Sequence, residues 1–457
     1  MANNNEVARK TASLEDFGYS QQLNRVLKTS DLVIYGLIFM VPIAPFGIYG
    51  FVAENSGGMV PLAYLIGMAG MIFTAFSYWR MAEAVPIAGS VYAYATHTLG
   101  NAVGFVAGWT MLSDYILVPT LLYVVSAAAL GAIIPGVPGL VWIVGFILIN
   151  TVINIVGIEF TAKFNKIVLI LELIVLIVFC IAGVVVVSSG AAGNGFTLKP
   201  FYNPETFNMN LVMSAVSVAV LSFLGFDGIS TLAEEAREGG HGVGKACVFA
   251  LLGVGVLFIS QTYIATLVWP DYTSFKDLDT AFYDVAYVAG GIKLMWTCSI
   301  ATGFAWGIAN SLAAQAAISR IIFSMSRDNL LPKGLNKVHP KFKTPYVATI
   351  FIAILSFALT LVFSSNIEYL SSLVNFGALT GFLVLHFAVI YHFFFKQKSG
   401  QVFKHLVLPL VGLIIIFYVW IHLHKQAFTL GVIWVAIGIV YYIVNVKIRK
   451  KNIDLGV

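Results

Sequence analysis

Charge is scarce in this chain. Only 10% of its 457 residues are Asp, Glu, Lys or Arg, while 59% are hydrophobic. No single soluble core of this length encloses that much apolar surface, which excludes a soluble globular fold. Cysteine is scarce too. Cys180, Cys247 and Cys298 lie scattered, each inside a long apolar run, an odd set that supports neither a disulfide framework nor a metal site. No nucleophile–base set, metal-ligand spacing or phosphate loop is found, so an enzyme is the least supported class and no cofactor is expected. The net charge of +5 comes without a basic patch interleaved with aromatics, and nucleic acid is not an expected partner. Met1–Ser30 is polar and lacks an apolar h-region. A cleaved signal peptide is therefore not expected, and the first apolar span should itself direct insertion into a lipid bilayer.

What the chain does have is long apolar runs. A membrane-spanning helix needs roughly 20 apolar residues. Twelve runs qualify: 31–54, 59–82, 101–133, 138–158, 166–188, 207–235, 244–269, 289–325, 345–363, 367–394, 405–422 and 427–446. The expected fold is an all-α integral membrane protein of twelve transmembrane helices. Spans 1–5 (31–188) and 6–10 (207–394) read as a 5+5 inverted repeat, because five spans is an odd number. Spans 11–12 (405–446) are an appendage, flanked by polar tails at 1–30 and 447–457. Pro270–Gly290 and Ser189–Thr206 are the longest expected external stretches, and Arg327–Pro345 the longest cytoplasmic one. With the N-terminus inside, 22 of the 26 Lys and Arg fall on the cytoplasmic side. The positive-inside rule then places both termini in the cytoplasm of a multi-pass plasma-membrane protein.

Two spans in matching places are broken. Span 1 is interrupted by Val41-Pro42-Ile43-Ala44-Pro45, and span 6 by Ser222-Phe223-Leu224-Gly225-Phe226-Asp227-Gly228. Each opens a set of five. Non-helical backbone at membrane depth survives only where it faces protein or a water-filled cavity. Paired breaks therefore point to the binding site of a secondary transporter. Ordinary proline and glycine kinks are the plainer alternative. Asp227 sits where the second half of span 6 should begin, either capping that helix or binding substrate or proton. Pro42 and Pro45 carry no N–H, so a nest for an α-carboxylate is thinned in span 1. That favours an amine read through its cation.

Further candidates are intramembrane ionisable and polar residues. Glu172 lies in an apolar run of span 5; unpaired there it favours its protonated form and could carry a proton, unless Lys166 pairs with it. Asp114 is read equally as a structural hydrogen bonder or a substrate contact, and His386 as a structural residue. In span 8, Thr302, Trp306 and Asn310 share a face, and Trp306 could close over a cation. Gly100, Gly104 and Gly108 read as a close-packing stripe. The expected substrate cavity comprises Val41, Ile43, Ala44, Phe223, Gly225, Phe226, Asp227, Trp306 and Asn310. Glu172 and Asp227 are the expected coupling residues.

Four segments carry a resemblance. Ser222-Phe-Leu-Gly-Phe-Asp227-Gly-Ile-Ser-Thr-Leu-Ala-Glu234-Glu235 resembles the helix 6 signature of the amino acid–polyamine–organocation superfamily. Val85-Pro86-Ile87-Ala88-Gly89-Ser90-Val91-Tyr92-Ala93-Tyr94 resembles its signature after helix 2. Ser319-Arg320 through Pro332, Val338-His339-Pro340 through Pro345, and Asn375-Phe-Gly-Ala-Leu379 are similar to the bacterial putrescine-importer-like branch. The resemblance implies a LeuT-like fold with substrate at the breaks, and import of an amino acid or putrescine-like amine with protons as coupling ion. Three departures stand out. Gly47 follows Phe46 where that branch tends to place Asp. Glu234-Glu235 is not followed by Asn-Pro. Glu172 stands where proton-coupled relatives often place Lys. An amino acid/amine exchanger is the alternative. A nutrient receptor is less expected, since only about ten residues follow the last span. A channel would need a continuous polar lining that the apolar flanks of both breaks do not supply.

Overall fold

The computed structural model describes residues 25 and 27–444, apart from 88, 157–158, 192, 194, 234, 328–330, 343 and 364–365. The tails at 1–24 and 445–457, Ala88, Glu234 and the side chain of Lys163 lie outside the described residues. Among the described residues, twelve helices are long and apolar enough to cross a membrane. They are α1 (Thr29–Gly47), α2 (Val60–Ala84), α3 (Asn101–Gly131), α4 (Gly139–Val156), α5 (Lys166–Ser188) and α6 (Met209–Leu232). Then follow α7 (Gly239–Val268), α8 (Ala281–Phe323), α9 (Tyr346–Phe363), α10 (Ile367–Lys396), α11 (Phe403–Ile421) and α12 (Lys425–Ile443).

Burial sorts the helices. α3, α6 and α10 form the interior of the bundle. α4, α5, α9, α11 and α12 turn large apolar side chains outward, among them Leu148, Ile177, Leu361, Ile414 and Val440. An outward apolar surface is stable against lipid and unstable against water. Glycine sets how closely the inner helices approach. A Cβ on Gly240 of α7 would overlap the Ala82 carbonyl of α2, and one on Gly244 would overlap the Trp79 ring. Two of the three stripe glycines of α3 do the same for the short helix Ser90–Leu99. Gly104 lies against Thr96, and a Cβ on Gly108 would sit 2.8 Å from the Tyr92 ring, while a Cβ on Gly100 would meet open space.

Both expected breaks are present. The α-helix of α1 ends at Met40; Val41 adopts φ +53°, Ala44–Gly47 is a 3-10 turn, and helix resumes over Tyr49–Asn55. Positive φ at a β-branched residue is strained, and it marks a backbone held by its surroundings. In α6 the α-helix runs Met209–Ala219, then tightens to 3-10 geometry over Val220–Phe223. Leu224 is extended, Gly225 adopts φ +117°, and Phe226–Leu232 is again 3-10.

Three expectations need correction. Among the described residues the segment after the α6 break is the 3-10 helix Phe226–Leu232 and not an α-helix, and Asp227 lies in its first turn instead of capping an α-helix. α7 begins at Gly239 and not at 244, because Gly-Gly-His-Gly reads as loop while its glycines are what allows α7 to meet α2. α8 begins at Ala281 and not at 289. Gly290 and Gly291 are a non-helical kink inside it, and Ala281–Ala289 was mistaken for loop. Further along, α8 widens into a π-helix over Ala305–Asn310, a distortion that frequently sits at functional sites.

Candidate functional site

The two breaks face one small cavity of about 50 Å³. α1 contributes Phe39, Met40 and Ala44. α6 contributes Leu221, Ser222, Leu224, Gly225 and Asp227, and α8 contributes Trp306 and Asn310. The remaining wall is α3, through Asp114, Tyr115, Val118, Leu121 and Leu122. Among the described residues the lining holds two carboxylates and no Lys, Arg or His.

Asp227 is held from two directions. Its Oδ1 accepts the Gly225 N–H at 3.1 Å, reaching back across the break. Its Oδ2 accepts the Tyr115 hydroxyl at 3.3 Å. Gly225 makes this possible, since its φ lies where L-residues are disfavoured and turns its N–H toward the carboxylate. Around it the 3-10 segment is pinned. The Ser230 hydroxyl donates to the Asp227 carbonyl at 2.6 Å, and Phe226 packs on Tyr78 at 5.6 Å between centroids. Tyr78 in turn bonds Ser90 at 3.1 Å and packs on Tyr94 at 6.0 Å. The Val85–Tyr94 motif therefore acts as a brace behind the α6 break.

Asp114 is 5% exposed, and its Oδ1 has no hydrogen-bond partner. Pro119 lies inside α3 and has no N–H to donate to the Tyr115 carbonyl four residues back. Backbone donors at the breaks are largely used. Ala44 N–H bonds Val41 O at 2.8 Å, and Phe46 N–H bonds Ile43 O at 3.0 Å. Leu224 N–H bonds Leu221 O at 3.1 Å, and Gly228 N–H bonds Gly225 O at 3.0 Å. Pro42 and Pro45 have no N–H, and the Pro42 carbonyl is taken by Gln261 Nε2 at 2.9 Å. The site thus holds two carboxylates and few free donors, the unpartnered Trp306 indole N–H being one.

Residues 32–453 match the family described as Amino acid permease. The chain belongs to that family. The low-affinity putrescine importer PlaP of Escherichia coli K12 is 31% identical over 434 residues, 92% of this chain and 93% of its own length. The branched-chain amino acid permease BcaP of Bacillus subtilis is 28% identical over 459 residues, 94% of this chain and 95% of its own. A methylthioribose transporter of Bacillus subtilis is 28% identical over 471 residues, 95% and 96% of the two chains. Together these place the permease in the amino acid–polyamine–organocation superfamily, in its putrescine-importer-like branch.

Not every candidate faces the cavity of the permease. Ala44, Gly225, Asp227, Trp306 and Asn310 line it. Val41 and Ile43, at 1% and 0% exposed, are buried in protein away from it. Phe223 and Phe226 are also fully buried, Phe223 at 5.1 Å from Phe258 and Phe226 at 5.7 Å from Phe382. Trp306 lies against α1: a Cβ on Gly47 would sit 3.5 Å from its ring and 2.5 Å from Val125 Cγ1. Position 47 therefore has no room for an acidic side chain as packed. The hydroxyls of Thr302 and Ser311 bond their own helix, to Cys298 O at 3.0 Å and Trp306 O at 2.5 Å.

Glu172 is 4% exposed and does not line the cavity. Its Oε2 has no partner, Lys166 is exposed, and no ion pair joins the two among the described residues. It shares the buried stripe of α5 with Phe179, two turns on, which packs on Phe46 at 5.8 Å. His386 is fully buried with both ring nitrogens engaged, Nδ1 with Ser77 Oγ at 2.9 Å and Nε2 with Thr74 Oγ1 at 3.2 Å. It staples α10 to α2.

The cavity is closed on one side only. Toward Asn55, Phe46 stacks on Phe282 at 3.8 Å, and Phe179 and Tyr49 pack on Phe282 at 4.7 and 5.7 Å. Every residue from Met40 to Ala53 is buried. Toward Thr29, the lining residues Phe39, Val118, Leu224 and Asn310 are partly exposed. Sequence reasoning missed Phe39, Met40, Tyr115 and the leucines. The signal that was available is Pro119, four residues after Tyr115.

Proposed function

We propose that this permease is a secondary active transporter that imports a small organic amine, read through its cation, by proton symport. The observation that carries the reading is the cavity's acidic lining: Asp227 and Asp114 face it with no basic side chain, while prolines and internal hydrogen bonds leave few backbone donors at the breaks for a substrate carboxylate. A buried carboxylate is strongly disfavoured unless paired, and an ammonium supplies the pair. The name of the putrescine importer agrees with this class. Two repeats of opposite topology, with both termini cytoplasmic in a plasma membrane, suit the paired breaks and the excess of Lys and Arg at one end. On that topology the cavity faces the cytoplasm and the Phe46–Phe282 stack closes the outside.

Glu172 and Asp227 carry the coupling in this reading. Glu172 is buried and its Oε2 has no partner, which suits a group that carries a proton rather than an ion pair. The test is accumulation in proteoliposomes. Purified protein should concentrate labelled 1,4-diaminobutane when the outside is made acidic, and a protonophore should abolish the gradient. Uptake that ignores the proton gradient and needs preloaded counter-substrate would replace symport with exchange.

A further inference from the structure

We propose that Asp114 is a second ammonium anchor, so that the cavity selects amines charged at both ends over amines charged at one. The inference rests on the amine reading above and goes beyond it by giving a residue of α3 the choice between them. Asp114 is the one carboxylate of the cavity with an unsatisfied buried oxygen, Oδ1. Asp227, by contrast, has both oxygens occupied, by Gly225 N–H and Tyr115 O–H. Tyr115 is also the residue next to Asp114, so the two acids flank one tyrosine.

Electrostatics then limits the occupant. Two carboxylates in one small apolar-walled cavity cannot both stay charged without compensation. A monoamine neutralises one and leaves the other to be protonated or unpaired. An α,ω-diamine neutralises both, and its methylene chain suits the wall of Val118, Leu121 and Leu122.

The anchor is also fixed in place. Gly377 of α10 is pressed against Asp114, since a Cβ there would lie 2.8 Å from the Asp114 nitrogen and 2.9 Å from its Cβ. A carboxylate on a helix that cannot shift acts as one end of a ruler, with Asp227 as the other.

The experiment measures half-saturation of uptake for 1-aminobutane and for diamines of three to six carbons in proteoliposomes. Wild type should prefer 1,4-diaminobutane over 1-aminobutane by at least about tenfold, the worth of one charge-assisted hydrogen bond. Asp114→Asn should shrink that preference to within about threefold by weakening only the diamine. Asp114→Glu keeps the charge and brings it one methylene closer, so it should keep the preference and move the optimum to a shorter diamine. A merely structural Asp114 would not move a chain-length optimum, and Asp114→Glu serves if Asp114→Asn fails to fold. An unchanged preference in Asp114→Asn, or an unmoved optimum in Asp114→Glu, overturns the inference and leaves the amine reading standing. Wild type that takes up neither class of amine overturns the amine reading itself.

Discussion

Replacing Asp227 by Asn separates its charge from its hydrogen bonds. Asparagine keeps an oxygen for the Gly225 N–H now accepted at 3.1 Å. Its amide nitrogen can donate to the Tyr115 oxygen, now 3.3 Å from Oδ2, because a hydroxyl both donates and accepts. Stability should therefore change by no more than about 1 kcal/mol, the net worth of one neutral hydrogen bond. Binding is different. A hydrogen bond to a charged group contributes about 1.5–3 kcal/mol, so losing the carboxylate should weaken amine binding by roughly 10- to 150-fold. Asp227→Ala, which also removes the acceptor for Gly225, should lose stability as well. The assay pairs the melting temperature of purified protein with saturation binding of labelled 1,4-diaminobutane. A variant that melts near wild type but binds weakly agrees with the reasoning. Full binding by Asp227→Asn would reduce Asp227 to a brace for the break, and a collapse in melting temperature would mean the charge itself holds α6.

Three more expectations follow from other sites. Glu172→Gln mimics a permanently protonated acid, so proton-driven accumulation should be lost while exchange at equal concentrations survives; concentrative, pH-sensitive uptake in this variant would remove Glu172 from coupling. Phe282→Ala deletes the ring stacked on Phe46 at 3.8 Å and should cost about 3–5 kcal/mol as a large-to-small core change. It should also let a membrane-impermeant maleimide reach an Ala44→Cys variant from the side of Asn55, and protection equal to the parent would show that the stack is not the seal. The Asp279 carboxyl, outside the spans, is pushed up to about 6, first by burial and then by the charge of Asp277. A raised acid costs stability above its folded-state value and nothing below the ordinary carboxylate range, so Asp279→Asn should raise the melting temperature at pH 7.5 and leave it unchanged at about pH 3; a rise at both would point to packing.

The spans and both breaks were legible because the signals are local: runs of apolar residues, and Pro42, Pro45, Gly225 and Gly228 within them. What was not legible depends on partners. Gly290-Gly291 looks like the end of a loop, yet helix continues through Ala281–Ala289 because Phe282, Tyr283 and Val285 have a core to enter. The 3-10 geometry after Gly225 is held by Ser230, Tyr78 and Asp227, none of which announces it in one dimension. Val41 and Ile43 were natural choices at a break, but side-chain direction follows from a positive φ at Val41 that no residue type foretells. In sequence, Asp114 reads equally as a structural or a binding residue. Its unpartnered oxygen beside Asp227 appears only once α3 is set against α6. His386 kept its structural reading, because Ser77 and Thr74 arrive from α2 to occupy both nitrogens.

The most direct test of cation-led recognition is competition between an amine and its parent amino acid. Ornithine and 1,4-diaminobutane differ by one α-carboxylate. With uptake of labelled 1,4-diaminobutane in proteoliposomes as the readout, the unlabelled diamine should compete at least as well as ornithine. A carboxylate added beside Asp114 and Asp227 meets like charge and few free donors. Competition restricted to compounds with a free α-carboxylate, with every decarboxylated amine ignored, would contradict the account.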